Sequence, residues 1–475
     1  MMPQAINASY RGLLRRLLRL ALVLAAAVIV LSGALWAGLR IALMPQTGEW
    51  ATEIGRGPFT LQVGVPQLVW QATTPTIGAR LHGLRLRTRL GQLRLGWVPA
   101  GADGPEPVLT VDCEPCRLPL PAALGQTALD VPAAQLALSR EITQDNGQHL
   151  RGTLLLGAVR PDSTDAVLAA RWQARSQGAG WAVTMDWPDA PARDWLALLA
   201  PGLPELTVAR IDGLIGATAE LQLPRGTLQL VPRVSGLAVG GLGTEAWAHA
   251  RSSCGPHRAH DARGWLARAV LAAEDQRFYE HPGIDLAELQ ASLAHNQAQG
   301  GIRRGASTVT QQLAKLMVAG DERTLSRKLR ELLYALEIEQ TLGKARILQL
   351  YLNMAPWGET AEGQLVCGAD AAARHYFGVP AARLTARQSV TLAAMLHNPR
   401  REAERWATQG SVSPDRLVWI AEQVRGVPGR QRRALVAVLR AEADSGVSEV
   451  VSPVLRATPA AAAMGLPDQR VASRP

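Results

Sequence analysis

Residues 265–288 read WLARAVLAAEDQRFYEHPGIDLAE, and this stretch decides the fold of the C-terminal half. Trp265, Leu266, Val270 and Leu271 recur at helical spacing, so an apolar face runs into the paired acids Glu274 and Asp275. Asp285 and Glu288 form an Asp-x-x-Glu capping pattern that opens a second helix to about residue 298. Glu274 thus ends a hydrophobic helix, with Leu271-Ala272-Ala273 before it and Phe278-Tyr279 after it. Desolvation and a like-charged neighbour both raise a carboxyl pKa, toward the range a general base needs.

Downstream the helical pattern continues. A glycine-rich loop, Gly300-Gly301-Ile302-Arg303-Arg304-Gly305, leads into Ser307-Thr308-Val309-Thr310-Gln311-Gln312, where Thr308 and Gln311 form a second capping box. Free N–H groups at such a helix start favour an anion, and Lys315 one turn on adds a point charge. Thr324 opens a helix to about Gln340 that stops at Gly343, and Lys344 opens another through Asn353. Arg327 and Lys328 lie four and three residues before Glu331, on one helix face, which keeps Glu331 ionised and offers an anion two cations. Residues 426–475 read as a C-terminal helix followed by a disordered tail.

Upstream the period changes to two. Leu84–Leu90 and Leu93–Trp97 alternate about Gly91-Gln92, which predicts a hairpin with one apolar and one Arg-rich face. Residues 219–223 and 227–230 repeat the pattern around Pro224-Arg225-Gly226. Further strands are expected near 128–139, 150–159, 165–174 and 180–186, with a short helix near 191–200. Residues 45–245 therefore read as a β-rich domain without a cluster of catalytic residue types, suited to structure or interaction. Residues 20–39, LALVLAAAVIVLSGALWAGL, carry no charge and are long enough to cross a bilayer as a helix. Arg11, Arg15, Arg16 and Arg19 precede this run and place residues 1–19 in the cytoplasm and the rest outside. A cleaved signal peptide is the rival reading, but the apolar run is longer than such peptides use.

Composition narrows the function. The chain has 475 residues, 47% apolar and 19% charged, with a formal charge of +10, so it is globular and has length for two or three domains. No Lys/Arg-rich run suggests a nucleic acid, and an acidic membrane surface or a phosphorylated substrate suits the charge better. Only Lys315, Lys328 and Lys344 are lysines, and none completes a Ser-x-x-Lys, Lys-Thr-Gly or Gly-Lys-[Ser/Thr] motif. Penicillin-type acyl transfer and P-loop nucleotide hydrolysis are excluded. Four cysteines outside the cytoplasm are expected to pair. Cys113 with Cys116 would make a local bridge and Cys254 with Cys367 a staple, a pairing the sequence leaves open.

Four ordered motifs then carry a resemblance. Glu274-Asp275-x-x-Phe278-x-x-His281-x-Gly283-x-Asp285, Gly305-Ala306-Ser307-Thr308-x-Thr310-Gln311-Gln312-x-x-Lys315, Arg327-Lys328-x-x-Glu331 and Lys344-x-x-Ile347-Leu348-x-x-Tyr351-Leu352-Asn353 resemble the peptidoglycan glycosyltransferases, glycosyltransferase family 51. The resemblance covers about 250–425 and is closest to the monofunctional members, since no transpeptidase follows. It implies a mainly α, lysozyme-like catalytic domain, and so a multidomain chain with one N-terminal transmembrane helix and a β-rich extracytoplasmic domain. It implies Glu274 as the general base that deprotonates the acceptor, lipid II, with Lys315, Arg327 and Lys328 neutralising the departing pyrophosphate and Glu331 orienting them. Ser307, Thr308, Gln311 and Gln312 would line the donor site, and Asp275, Phe278, His281, Tyr351 and Asn353 complete the substrate-binding set. His281 has a second reading, as a lock on the turn at Pro282-Gly283.

The implied partners are lipid II, the growing lipid-linked glycan strand and the cytoplasmic (inner) membrane, with the catalytic domain periplasmic. Residues 45–245 would receive cell-wall synthesis proteins. No cofactor is required, and a divalent cation (Mg or Mn) is admitted beside Glu331. The chain departs from the family pattern at Gln349, where Glu is usual, and at Cys367 and His397. Gln349 and the long β-rich insert keep open a lipid II-binding scaffold that does not polymerise. A lysozyme-like glycan hydrolase is the other alternative, disfavoured because cleaving a neutral sugar bond needs no cation clamp.

Overall fold

The computed structural model describes residues 4–42, 45, 51–54, 60–100, 106–119, 128–141, 148–157, 167–177, 180–224, 226–250, 254, 257–299, 304–318, 325–360 and 362–445. Most of the loop 300–305 and the tail after 445 lie outside these residues. The chain forms two compact units, Met1–Pro201 with Asp212–Leu237 and Gln290–Arg304, and Gly202–Ile211 with Ala238–Leu289 and Gly305–Pro475.

The first unit begins with helix α1 (Gln4–Ala42). Its described apolar side chains, Leu22 to Leu35 and Ile41 among them, are exposed. Among the described residues no helix is long and apolar enough to cross a membrane. Within the apolar run the side chains of Ala21 and Leu39 lie outside the described residues.

Strands β1 (Ala51–Ile54) and β2 (Leu61–Gly64) pair, and helices α2 (Val65–Ala72) and α3 (Pro75–Leu81) follow, each started by a proline in its first turn. Among the described residues one large sheet then collects ten strands. They are β3 (Arg85–Thr88), β4 (Gly91–Val98), β5 (Val108–Pro119), β6 (Ala128–Val131), β7 (Ala134–Glu141), β8 (His149–Leu156), β9 (Leu168–Gln177), β10 (Gly180–Pro191), β11 (Arg210–Leu223) and β12 (Thr227–Gly240). Their order is β12-β11-β10-β9-β8-β7-β5-β4-β3, with β6 beside β5, and the pairs from β3 to β11 are antiparallel.

Period-two alternation sets the faces of this sheet. Along β9, Leu168, Ala170, Trp172 and Ala174 are buried while Arg171, Gln173 and Arg175 are exposed. The buried face joins Leu109, Leu138, Leu150, Trp181 and Val183, with Val69 and Trp70 of α2 packed on it. Leu198 of α4 (Ala192–Leu199) covers a second cluster on Leu156, Leu168 and Val131. The short helix expected here is present, and so are the expected strands, except that the run near 128–139 breaks at Pro132 into β6 and β7. Strands β10, β11 and β12 run longer than read, and β1, β2 and β5 are additional to the strands the alternation pointed to. The first hairpin turns earlier than expected: Thr88 faces Gly91, so Arg89-Leu90 rather than Gly91-Gln92 make the turn. Every residue of β3 is exposed, so the apolar face is covered only on β4, where Leu93, Leu95 and Trp97 are half-buried against the core.

The second unit holds the short helix α5 (Glu205–Val208), then α6 (Trp265–Glu274), the start of α7 (Leu286–Ala298), α8 (Val309–Val318), α9 (Leu325–Thr341) and α10 (Gly343–Met354). A two-stranded sheet, β13 (Pro356–Glu359) with β14 (Leu365–Cys367), precedes α11 (Ala369–Phe377), α12 (Ala386–Met395), α13 (Pro399–Gln409), α14 (Pro414–Gln423) and α15 (Gly429–Ser445). Leu266, Ala267, Ala269, Val270, Leu271 and Ala272 of α6 are all buried, so this helix is enclosed on more than the single face the spacing predicts. Its alanines allow α12 and α14 to pack against it. Trp357 is fully buried, donating from Nε1 to the Leu392 carbonyl and receiving the Tyr376 hydroxyl on its own carbonyl.

One side of α9 holds the segments that enter this unit. The Glu337 carboxylate accepts the Leu242 N–H at 3.0 and 3.1 Å, Tyr334 stacks on Trp247, and Arg330 binds Glu205 at 2.7 Å. Burial raises the Glu337 pKa, which the backbone donors oppose.

Candidate active site

Glu274 is the last residue of α6, and its side chain is 13% exposed. Oε2 accepts a hydrogen bond from Gln312 Nε2 at 3.0 Å. The Gln312 carbonyl in turn accepts from the Tyr351 hydroxyl at 2.8 Å. A phenol always has a proton to give here, because burial pushes the Tyr351 pKa well up, aided by the Glu274 and Asp275 charges. That fixes the Gln312 amide with its NH₂ toward Glu274. On the other side, Arg416 Nη2 of α14 stands 3.7 Å from Glu274 Oε1, while Arg416 Nε donates to the Ala394 carbonyl. Burial depresses the Arg416 pKa, and the Glu274 and Glu402 charges oppose that. The result is a carboxylate held by one amide and one guanidinium.

The like-charged neighbour expected to act on Glu274 is engaged elsewhere. Asp275 is buried, with Oδ1 2.9 Å and Oδ2 3.1 Å from His281 Nε2. Gly283 N–H donates to His281 Nδ1, so that nitrogen carries the lone pair and Nε2 donates to Asp275. His281 therefore locks the turn at Pro282-Gly283. Asp275 Oδ2 also accepts the Val309 N–H at 2.9 Å, at the first residue of α8. The capping box is present, with Thr308 N–H on Gln311 Oε1 and Gln311 N–H on Thr308 Oγ. The start of α8 was expected to offer free donors to a phosphate. The N–H groups of Thr308, Val309 and Gln311 are instead taken by Gln311, Asp275 and Thr308, so the anion at this helix end is the chain's own carboxylate.

The cations are arranged by Glu331. Its side chain is 1% exposed, with Arg327 Nη1 2.8 Å and Lys328 Nζ 2.5 Å from its two oxygens. The 48% exposed Lys328 also donates to Ser307 Oγ at 3.1 Å, and Lys315 is exposed on α8. With both Glu331 oxygens on cations, this donor set does not suit a divalent metal. Among the described residues no group of three His, Cys, Asp or Glu could hold one. Lys344 serves the scaffold: Nζ donates to the His281 carbonyl and to Glu339, over the ring of buried Phe278.

Six residues expected to touch substrate, namely Asp275, Phe278, His281, Thr308, Tyr351 and Asn353, are thus buried. Their hydrogen bonds or ring contacts lie within the protein. Ser307, Gln311, Gln312, Lys315, Arg327 and Lys328 retain accessible surface. Arg416 was missed, because a single arginine in a helix far down the chain carries no local signal.

Gln349 proves to be an anchor for backbone. Its Oε1 accepts the His260 N–H at 2.9 Å and its Nε2 donates to the His260 carbonyl. One turn later Asn353 repeats the pattern on Arg258, at 2.8 and 2.9 Å. Two amides on one face of α10 thus grip alternate residues of the extended segment 258–260, as a neighbouring strand would. A glutamate at 349 accepts but cannot donate, so the departure from the family pattern matches a structural use. The disulfide Cys254–Cys367 fastens the same entry segment, and Cys113–Cys116 closes the other predicted pair.

Comparison with known proteins agrees with this arrangement. The profile of the family described as Transglycosylase matches residues 254–424. The biosynthetic peptidoglycan transglycosylase of Nitrosospira multiformis is 37% identical over 171 residues, which are 36% of this chain and 68% of that protein. Those of Nitrosomonas eutropha (46% over 135 residues, 28% of this chain and 53% of that protein) and Escherichia coli (43% over 165 residues, 35% and 65%) match the same way. The chain spans about half the length of the first curated relatives it matches. The β-rich domain has no part in the family match. On the identity to the Nitrosospira protein, the chain belongs to the transglycosylase family of peptidoglycan biosynthesis.

Proposed function

We propose that the chain polymerises lipid II into β-1,4 glycan strands. Glu274 takes the proton of the acceptor C4 hydroxyl. The oxygen then forms a bond to the anomeric carbon of the donor chain, the bond from that carbon to the lipid pyrophosphate breaks, and the electron pair leaves with the pyrophosphate. Configuration inverts, since attack and departure lie on opposite faces. Lys328, Arg327 and Lys315 supply fixed positive charge for the leaving group, and preorganised charge of this kind is usually the largest contribution to catalysis.

The observation that carries the reading is the pair of opposite arrangements in one unit. One carboxylate, Glu274, is oriented by Gln312 and Arg416 while keeping accessible surface, and a buried carboxylate, Glu331, fixes two cations. A hydrolase would have no use for the second. We further propose that α1 anchors the chain in the inner membrane with the catalytic unit in the periplasm, because residues 20–39 are uncharged and the preceding arginines favour the cytoplasmic side.

The full chain incubated with labelled lipid II tests the polymerase. Wild type is expected to make polymer, and Glu274→Gln to reduce the rate by about 10²-fold or more. Lipid II binding without polymer from either protein would assign a scaffold. Shortening of preformed strands would assign a hydrolase.

A further inference from the structure

Between Glu53 and Asp103 the sequence contains no acidic residue but six arginines, Arg56, Arg80, Arg85, Arg87, Arg89 and Arg94. The last five are exposed on α3 and the β3–β4 hairpin, and among the described residues no hydrogen bond or ion pair engages their side chains. In the sheet register Arg85 stands opposite Arg94, a like-charged pair that costs stability, and Asp112 of β5, which faces Arg94 on its other side, is held by Gln135 at 2.7 Å instead of forming an ion pair with it. The hairpin is also apolar where it should not be. Leu84, Leu86 and Leu90 are 41, 42 and 37% exposed, and Val98 is 55% exposed. Strand β3 is moreover an edge of the large sheet, with one side unpaired.

An edge hairpin with unpaired arginines on one face and exposed leucines on the other and at its turn is expensive to leave in water. We propose that the β3–β4 hairpin is a membrane-surface contact that lies on anionic phospholipid headgroups. Charge complementarity supports this occupant: each arginine gains from a negative surface, and among the described residues none has an ion pair to give up for it. The leucines favour a bilayer over a soluble polyanion, since a bilayer offers apolar depth next to charge. Continuity supports it as well, because α1 belongs to the same unit and lies against β2, which leads through α2 and α3 into the hairpin. The hairpin would then be a second, electrostatic attachment of the β-rich domain, independent of glycan polymerisation.

The test uses the full chain reconstituted into vesicles, with photoreactive benzoylphenylalanine in place of Leu86. Phosphatidylglycerol-containing vesicles are expected to yield a lipid adduct at this position. The adduct should fall about tenfold or more in phosphatidylcholine vesicles and in the R85Q/R87Q/R89Q/R94Q variant. High salt should suppress it in the otherwise unaltered chain, which keeps the test informative if the variant misfolds. Amide exchange over 108–156 checks that the variant sheet is intact. An absent adduct, or one indifferent to lipid charge and salt, overturns the proposal. Protection of amides 84–98 by heparin without any lipid adduct also overturns it, in favour of a soluble polyanion.

Discussion

Glu274, Gln312, Tyr351 and Arg416 show how one carboxylate acquires a direction. A glutamate at a helix end has free rotation, and the amide and guanidinium remove it. Gln312 can do so only because Tyr351 decides which end of its amide faces Glu274. Loss of these groups should therefore affect turnover more than substrate affinity. We expect Arg416→Gln to lower kcat by about 10- to 100-fold with little change in KM, in steady-state lipid II polymerisation. Tyr351→Phe should have a smaller effect of the same kind, near the worth of one hydrogen bond, about 0.5–1.5 kcal/mol. An unchanged kcat in Arg416→Gln would remove the guanidinium from the account. The acids, the glutamines and the tyrosine were legible in the chain as motif members. That Gln312 and Tyr351 position Glu274 while Asp275 belongs to the buried scaffold was not, since each arrangement depends on which partner is satisfied first.

At the scale of elements, α8 and α10 carry the same lesson in opposite directions. The start of α8 has the local form of an anion site, with its capping box as expected, yet Asp275 from the end of α6 already fills it. Helix α10 has the local form of a substrate-facing motif, yet its Gln349 and Asn353 side chains are spent on the backbone of 258–260. Glutamate at 349, the residue usual in the family, would present a carboxylate to the His260 carbonyl in place of a donor. Gln349→Glu is expected to destabilise the catalytic unit by about 1–3 kcal/mol, more than Gln349→Ala, by urea unfolding. Equal or greater stability of the glutamate variant would show that the clamp is not what holds the segment.

For the whole molecule, the two disulfides should differ in worth. Cys254 and Cys367 close a loop with a sequence separation of 113, whereas Cys113 and Cys116 are separated by 3. Loop entropy alone assigns about 4–5 kcal/mol to the long staple and about 2 kcal/mol to the short one. Cys367→Ser should therefore lower the unfolding midpoint of the catalytic unit markedly, and Cys116→Ser that of the β-rich unit slightly. Calorimetry with both units resolved would show it, and the reverse order would refute the loop argument. The proposed membrane-surface contact belongs to this scale too, because only the folded sheet shows that the hairpin arginines form no ion pair among the described residues.

The sequence by itself determined what is local. Alternation placed the strands of the β-rich domain, helical spacing and capping residues placed the helices around Glu274, and the motif spacing reached the family. What tertiary structure alone decided is which polar groups are still available for chemistry. Asp275, the start of α8, Gln349 and Lys344 are spent on partners inside the protein, while Glu274, Lys328 and the hairpin arginines keep accessible surface. The physical reason is that a buried polar group must be satisfied, and its partner is commonly remote in the chain. Reading along the chain counts donors and acceptors, but only the fold shows which of them already have partners.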